Sequence, residues 1–206
     1  DQAVLVFAVS EPELSLQLLD KFLVHIAQAG IDCVICFTKA DLLCRQDDGF
    51  RREMENIWQL YADIGYPVVI TSAVEKTGMS RLQELLAGKV SVFAGQSGVG
   101  KSSLLNALVP GLNLDTKQIS AKLGRGKHTT RHVELISLPG SGFVADTPGF
   151  SQLDFQDMEP EDLANCFKEF SRYASGCKFR GCLHYREPGC QVIAAKEEGK
   201  IAVTRY

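Results

Sequence analysis

The sequence lacks any apolar run long enough to cross a bilayer, since its longest runs have the length of a β-strand. No charged segment followed by an apolar one opens the chain, so we expect no membrane insertion. A basic excess is also missing, because the formal net charge is -3. These absences disfavour a membrane protein and a uniformly basic nucleic-acid binder, and they leave any RNA contact to local basic patches.

Disulfide bonds are not expected either. The seven cysteines are an odd number, and the phosphate-loop motif described below is typical of a reducing, nucleotide-rich compartment. Cys33 and Cys36 form a C-x-x-C pair, but they lie in a strand-like run where residues three apart face opposite sides. We therefore interpret this pair as core residues.

The chain has 206 residues and is 45% hydrophobic, enough for one full core and a small second module. Strand-like runs at 4–9, 33–37, 67–70 and 90–94 alternate with helical patterns at 14–26, 50–64 and 79–86. We expect Ser10 to cap the first helix and residues 160–173 to form one amphipathic helix. The alternation predicts an α/β fold of the P-loop NTPase type, a three-layer parallel-type sheet with helices on both faces.

A glycine-rich motif follows the strand-like run 90–94. Residues 95–102 match G-x-x-x-x-G-K-[ST], and a helical pattern comes next, so a chance match is disfavoured. In such a loop the backbone N–H groups and the helix N-terminus bind phosphate, Lys101 reaches the β- and γ-phosphates, and Ser102 ligates Mg²⁺. The predicted phosphate-binding residues are Gly95, Gln96, Ser97, Gly98, Val99, Gly100, Lys101, Ser102 and Ser103.

A second motif, T-K-A-D at 38–41, follows an earlier strand and fits the [NT]-K-x-D pattern that selects guanine. A carboxylate at Asp41 can accept from guanine N1–H and the exocyclic amine, which adenine cannot donate. Thr38 replaces the commoner Asn, so a contact to the base or to the phosphate loop can be lost. The alternative is a helix cap with Asp41 solvated. The predicted guanine-binding residues are Thr38, Lys39, Ala40, Asp41, Ser72 and Ala73.

Switch residues are expected on both sides of a predicted strand pair at 133–138 and 142–146. The long stretch 110–131 is rich in Gly, Lys and Thr, and either Thr129 or Thr130 would complete the Mg²⁺ shell, although a solvated loop is the alternative. Asp146 and Gly149 belong to a D-x-x-G motif. In such a motif the carboxylate binds Mg²⁺, directly or through water, and the glycine N–H senses the γ-phosphate. The predicted magnesium ligands are Ser102, Thr130 and Asp146.

A Cys/His cluster lies near the end of the chain. Cys177, Cys182, His184 and Cys190 offer three thiolates and an imidazole, the ligand set of one closed structural Zn²⁺ site. The alternative is a chance grouping in a reduced protein, while an open catalytic zinc is disfavoured because no ligand position is free. We predict a GTPase domain at 1–157 and a zinc-binding helical module at 158–206 that ends as a cut in a longer chain.

The guanine motif precedes the phosphate loop, the reverse of the common order, so we predict a circularly permuted GTPase domain. With that order, the segments 126–130 and 146–150 and the Cys/His cluster, the sequence resembles the RsgA (YjeQ) family of small-ribosomal-subunit biogenesis GTPases. The resemblance implies GTP hydrolysis stimulated by the small subunit, contact with its rRNA, a role in late subunit maturation and an amino-terminal OB-fold upstream. We further expect a monomer, located in the bacterial cytoplasm or in a eukaryotic organelle.

Hydrolysis requires a group that positions water. Phe150 follows D-x-x-G where many GTPases have Gln, so it cannot play that role. We hypothesise that His128 does so when the ribosome orders its loop, whereas the alternative is that His128 contacts RNA or nothing. The missing Gln also leaves open a guanine-nucleotide-dependent RNA-binding module whose hydrolysis is incidental.

The segment after Gly149 runs directly into the zinc-binding module, so γ-phosphate sensing can reposition that module. Basic and aromatic residues between the metal ligands suit RNA backbone and exposed bases. They are Lys178, Phe179, Arg180 and Tyr185.

Overall fold

A six-stranded sheet forms the centre of the computed structural model, which describes residues 1–114, 134–146 and 158–206. The strand order is β3-β2-β1-β4-β6-β5, with β5 antiparallel to β6 and all other neighbours parallel. The predicted α/β class is confirmed, and the turn at 139–142 joins the only antiparallel pair among the described strands. The strands are β1 (Gln2–Ala8), β2 (Asp32–Thr38), β3 (Val68–Ile70), β4 (Val90–Ala94), β5 (Glu134–Ser137) and β6 (Phe143–Asp146).

Helices cover both faces of this sheet. On one face α1 (Leu16–Gln28) and α2 (Asp48–Ile64) pack over Leu5 and Phe7, and on the other α3 (Met79–Leu86) and α4 (Lys101–Leu108) pack over Val4 and Val6. Every residue of β1 is therefore buried, as its unbroken apolar run predicts. None of the helices in the described ranges is long and apolar enough to span a bilayer.

The two cysteines of the C-x-x-C pair separate onto these faces. Cys33 belongs to the core under α1 and α2, and Cys36 to the core under α3 and α4. Burial raises the pKa of each thiol to about 12, which keeps both in the neutral form. The prediction that they are core residues is confirmed.

The start of α1 differs from the prediction. Ser15, not Ser10, caps the helix, and its hydroxyl accepts from Leu18 N–H at 3.2 Å. The chain first crosses the carboxyl end of the sheet, where the Glu11 carbonyl accepts from the Lys39 ammonium, and only then turns into the helix. A hydroxyl caps a helix only where the next residues already have helical geometry, and this condition is met at Ser15.

The prediction of one continuous helix at 160–173 is also wrong. It is divided into α5 (Pro160–Asn165) and α6 (Lys168–Ala174), because Phe167 is extended at φ -92° and ψ 105°. The break places the Phe167 ring over Phe170, with 4.8 Å between the ring centroids. With α7 (Gln191–Glu197), these helices lie in residues 158–206, which we refer to as the carboxyl-terminal module. Its small core contains Phe170, Cys190, Val192, Ala195 and Ile201.

Candidate nucleotide site and metal-binding cluster

The phosphate loop lies between the end of β4 and the start of α4. Gly95 has φ +148°, and a Cβ there would lie 2.1 Å from the Val6 carbonyl oxygen, so only glycine fits. The Lys101 ammonium donates to the carbonyls of Gly95 and Gln96, both at 2.7 Å. The loop thus curls around the lysine head at the N-terminus of α4, a geometry suited to an anion. Ser102, the predicted magnesium ligand, lies in the first turn of α4.

Thr38 joins the guanine motif to the phosphate loop. Its side chain is buried beneath the loop, and its hydroxyl donates to the Val99 carbonyl. The hydroxyl oxygen also lies 3.3 Å from the Phe7 carbonyl at the end of β1. Of the two contacts that the replacement of Asn by threonine was expected to put at risk, the one to the phosphate loop is kept, because the hydroxyl reaches the loop backbone.

Asp41 is held by a neighbouring hydroxyl. Ser72, which is fully buried, donates to Asp41 Oδ1 at 2.5 Å and accepts from Glu75 N–H at 3.1 Å. Lys39, just before, has a left-handed backbone at φ 59°, and its ammonium donates to the Glu11 carbonyl. A fixed carboxylate is what recognition of two adjacent N–H donors requires.

Guanine-motif and phosphate-loop residues line one cavity of about 180 Å³. Predicted residues in its wall are Thr38, Lys39, Asp41, Ala73, Gly100 and Ser103. Sequence reasoning missed its apolar part, although each of these residues directly follows a predicted site residue. They are Leu42, Val74 and Leu104. An apolar wall beside an oriented carboxylate suits a flat heterocyclic base with polar edges.

Several predicted switch and catalytic residues lie outside the described ranges: His128, Thr129, Thr130 and Gly149. Asp146 is the last residue of β6. Its strand pairs with β4 through Ala145 and Val92, so its backbone ends beside the strand that leads into the phosphate loop.

The Cys/His cluster comes together in the carboxyl-terminal module. The ligand atoms of Cys177, Cys182, His184 and Cys190 all lie within 4.8 Å of one another. His184 Nδ1 is 3.6 Å from Cys177 Sγ and 3.4 Å from Cys190 Sγ, and these sulfurs are 3.9 Å apart. A tetrahedral Zn²⁺ ion has Zn–S distances of about 2.3 Å and Zn–N distances of about 2.0 Å. Its ligand atoms are therefore about 3.8 Å apart for two sulfurs and about 3.5 Å apart for a sulfur and a nitrogen. The donor set therefore fits one tetrahedral metal ion.

The pKa values of Cys177 and His184 favour the protonation states that bind a cation, whereas the pKa of Cys182 does not. Burial raises the pKa of the Cys177 thiol, but backbone N–H bonds from Gln191 and Val192 outweigh it and the pKa is lowered. Burial lowers the pKa of His184, which favours the neutral, ligating imidazole. Burial raises the pKa of Cys182 to about 12, an effect that metal binding opposes because a coordinating thiol is deprotonated.

Glu187 caps the loop that carries His184, a role that the sequence did not reveal. Its carboxylate accepts from the N–H groups of Leu183 at 2.7 Å and of Tyr185 and Arg186 at 2.9 Å. These bonds hold the pKa of Glu187 down at about 2. The ligand loop is therefore shaped by an ionised carboxylate near neutral pH.

A family model described as RsgA GTPase matches residues 1–156. A small ribosomal subunit biogenesis GTPase RsgA from Shouchella clausii is 53% identical over 207 residues, which cover 100% of this chain and 69% of that protein. One from Bacillus anthracis is 54% identical over 206 residues, with the same coverage of both chains.

Two solved structures are similar in fold. The crystal structure of YjeQ from Thermotoga maritima has a TM-score of 0.85 and 41% sequence identity, and the match covers 100% of this chain and 67% of that one. YloQ, described as a circularly permuted GTPase, has a TM-score of 0.83 and 44% identity, with coverage of 100% and 64%. The predicted family, fold class and permutation are confirmed by these similarities.

Proposed function

The chain belongs to the RsgA GTPase family, and we propose that it hydrolyses GTP as a switch in late maturation of the small ribosomal subunit. The observation that supports the nucleotide site best is the cavity that the guanine motif and the phosphate loop line together. The printed names of the relatives support the ribosomal role, since they are small ribosomal subunit biogenesis GTPases.

In this proposal each motif has one task. The phosphate loop binds the triphosphate, with Lys101 on the β- and γ-phosphates and Ser102 on Mg²⁺. Asp41, fixed by Ser72, pairs with the guanine edge, and Ser72 and Ala73 supply backbone contacts to the guanine oxygen. Thr130 and Asp146 complete the magnesium site, Gly149 senses the γ-phosphate and His128 positions the attacking water. These residue roles are proposals. Magnesium, when bound, would neutralise charge on the phosphates.

We propose that the Cys/His cluster holds one structural Zn²⁺. The separations of 3.4–3.9 Å among the ligand atoms of Cys177, His184 and Cys190 support this, as does the presence of a fourth ligand, Cys182, within 4.8 Å of the other three. Metal bound there ties the loop at 177–190 to α7, because Cys190 is also the N-cap of that helix, accepting from Ile193 N–H at 3.5 Å.

A surface of the carboxyl-terminal module suits rRNA. Tyr185 is 67% exposed, with the Arg186 guanidinium 4.7 Å from its ring centroid, and Phe179 is 46% exposed, with the Lys178 ammonium 5.5 Å away. Exposed rings backed by cations can stack on unpaired bases and contact phosphates. With Arg180 these residues form the proposed rRNA contact.

Two further expectations follow from the proposed partner. A protein that matures ribosomal subunits in bacteria, the source of the relatives named above, acts in the cytoplasm. We also expect it to act as a monomer on each subunit.

GTP turnover measured with and without small ribosomal subunits tests the proposal. The expected result is GTP-specific turnover that rises when subunits are added. Nucleotide-dependent subunit binding without stimulated turnover would instead favour a guanine-nucleotide-dependent RNA-binding module.

A further inference from the structure

Arg205, near the end of the chain, is buried against residues of both the carboxyl-terminal module and the sheet helices. Its guanidinium donates from Nε and Nη2 to the two carboxylate oxygens of Glu169 in α6, at 2.7 and 3.0 Å. From Nη1 it donates to Asp20 Oδ1 in α1 at 2.6 Å, and Tyr61 of α2 donates to the same oxygen at 2.6 Å. One side chain thus joins α6, α1 and α2.

The cost of breaking this contact is large because its groups are out of water. Arg205 is 3% exposed and Glu169 is 4% exposed. Burial raises the pKa of Asp20 despite the opposing effect of Arg205, so this carboxylate depends on its partners. Removing one member of a buried, hydrogen-bonded ion pair leaves an uncompensated charge, which is strongly unfavourable.

The position of Arg205 depends in turn on the metal-binding loop. Tyr206, the next residue, donates to the His184 carbonyl at 2.5 Å. Ile201, on the other side, is packed in the small core with Cys190, which is both a candidate ligand and the cap of α7. A core of this size is marginal by itself, so we expect bound metal to supply much of the stability of this module.

The other end of the contact leads to the nucleotide site. Asp20 lies in the second turn of α1, and the segment before α1 contributes the Glu11 carbonyl, which accepts from the Lys39 ammonium. Lys39 is part of the guanine motif and lines the cavity. A shift of α1 therefore changes the support of a residue that contacts the proposed nucleotide.

We propose that Arg205 couples the two sites, so that metal binding at the Cys/His cluster and guanine nucleotide binding strengthen each other through Glu169, Asp20 and α1. This inference rests on the proposed function for both ligands. It assigns Arg205, Glu169 and Asp20 as positioning residues, since none of them lines the nucleotide cavity or belongs to the Cys/His cluster. Thermodynamic linkage requires the two effects to be equal in size.

The experiment measures GDP affinity in the complete protein with Zn²⁺ bound and after its removal by a chelator, and Zn²⁺ affinity with and without GDP. We expect zinc removal to weaken GDP binding by about fivefold or more, with GDP tightening Zn²⁺ binding by the same factor. Equal GDP affinity in the two metal states would overturn the coupling. A zinc-loaded protein that binds no guanine nucleotide would instead overturn the proposed function.

The Glu169→Gln substitution tests the route. We expect GDP binding by its zinc-loaded form to be weakened, and zinc removal to have little further effect. The matched control is Glu198→Gln, which alters an exposed ion pair with Lys200 in the same module and should behave as wild type. Should Glu169→Gln fail to fold, Asp20→Asn tests the contact from the α1 side while keeping an acceptor for Tyr61. Wild-type coupling in a folded variant contradicts the route.

Discussion

The Ser72 hydroxyl lies 2.5 Å from Asp41 Oδ1, and this contact joins the ends of two neighbouring strands at the proposed base-binding site. The same hydroxyl accepts from Glu75 N–H, so its proton is directed to the carboxylate. An aspartate held in this way presents its remaining acceptor positions to a ligand in a fixed direction. We therefore expect the affinity for guanine to depend on a residue whose side chain need not touch the base.

Replacing Ser72 by alanine tests this dependence. Hydrogen bonds to charged groups contribute about 1.5–3 kcal/mol, so we expect Ser72→Ala to bind GDP about tenfold or more weakly. Titration calorimetry gives the affinity. Ser171→Ala, which removes an exposed hydroxyl bonded to the Lys168 carbonyl, is the control. Equal affinities in the two variants would show that Asp41 is oriented without Ser72.

The hydrogen bond from Thr38 to the Val99 carbonyl should also affect nucleotide binding. Thr38→Val keeps the shape of the side chain but leaves the Val99 carbonyl without its donor, at a cost of about 1–3 kcal/mol. We expect weaker binding of both GDP and GTP, because the phosphate loop loses its support from β2. Thr38→Asn, which restores a donor, should recover part of the affinity. Unchanged nucleotide affinity in Thr38→Val would contradict this role.

Two glycines of the phosphate loop offer a matched comparison. A Cβ at Gly95 meets the Val6 backbone at 2.1 Å, whereas a Cβ at Gly98, with φ +80°, has no atom of the described residues within 4 Å. We expect Gly98→Ala to lower the free energy of unfolding by about 1 kcal/mol from backbone strain alone. Gly95→Ala should cost about 3 kcal/mol or more, because strands β1 and β4 must separate. Urea unfolding measures both, and similar losses would mean that the contact with Val6 is relieved easily.

The lowered pKa of Glu187 predicts acid sensitivity of the ligand loop. A carboxylate whose pKa falls on folding stabilises the folded state above its unfolded pKa, and this contribution is lost as the pH falls through the folded value. For Glu187 that window runs from about 4.3 in the unfolded chain down to about 2. Carboxyl NMR titration should show a midpoint near the lower value, and a midpoint above 4 would contradict the three N–H bonds.

The proposed role of His128 is tested by activity. We expect His128→Ala to retain binding to small subunits and to lose stimulated GTP hydrolysis, because no group then positions the water. Subunit binding is measured by co-sedimentation and hydrolysis by phosphate release. Full stimulated hydrolysis in this variant would rule the role out.

Sequence reasoning was most successful where local pattern and chemistry agree. The alternation of strand-like and helical runs predicted a sheet with helices on both faces, which the two cores confirm. The cavity is lined by residues of the two motifs that were predicted from the segments following strand-like runs. Burial on opposite faces was correctly predicted for Cys33 and Cys36 from the strand period alone.

The features that were missed depend on contacts between distant residues. In the sequence Arg205 lies in no recognisable motif, and only the fold shows that it contacts Asp20, 185 positions away. The break at Phe167 is not marked by Gly or Pro, and it is stabilised by stacking on Phe170 and by the Arg205 guanidinium 4.9 Å from the Phe167 ring centroid. Contacts of this kind are set by tertiary packing, and the helical periodicity of a sequence carries no information about them.

The position of β1 between β2 and β4 affects the order in which the protein can fold during its own synthesis. Pairing with β2 joins residues about thirty positions apart, whereas pairing with β4 waits for a strand about ninety positions away. Since a chain leaves the ribosome from its amino-terminal side, the half that carries the proposed guanine motif can assemble before the phosphate loop is synthesised. The nascent protein thus gains the means to bind a nucleotide only when β4 and the loop that follows it have joined a partly built sheet.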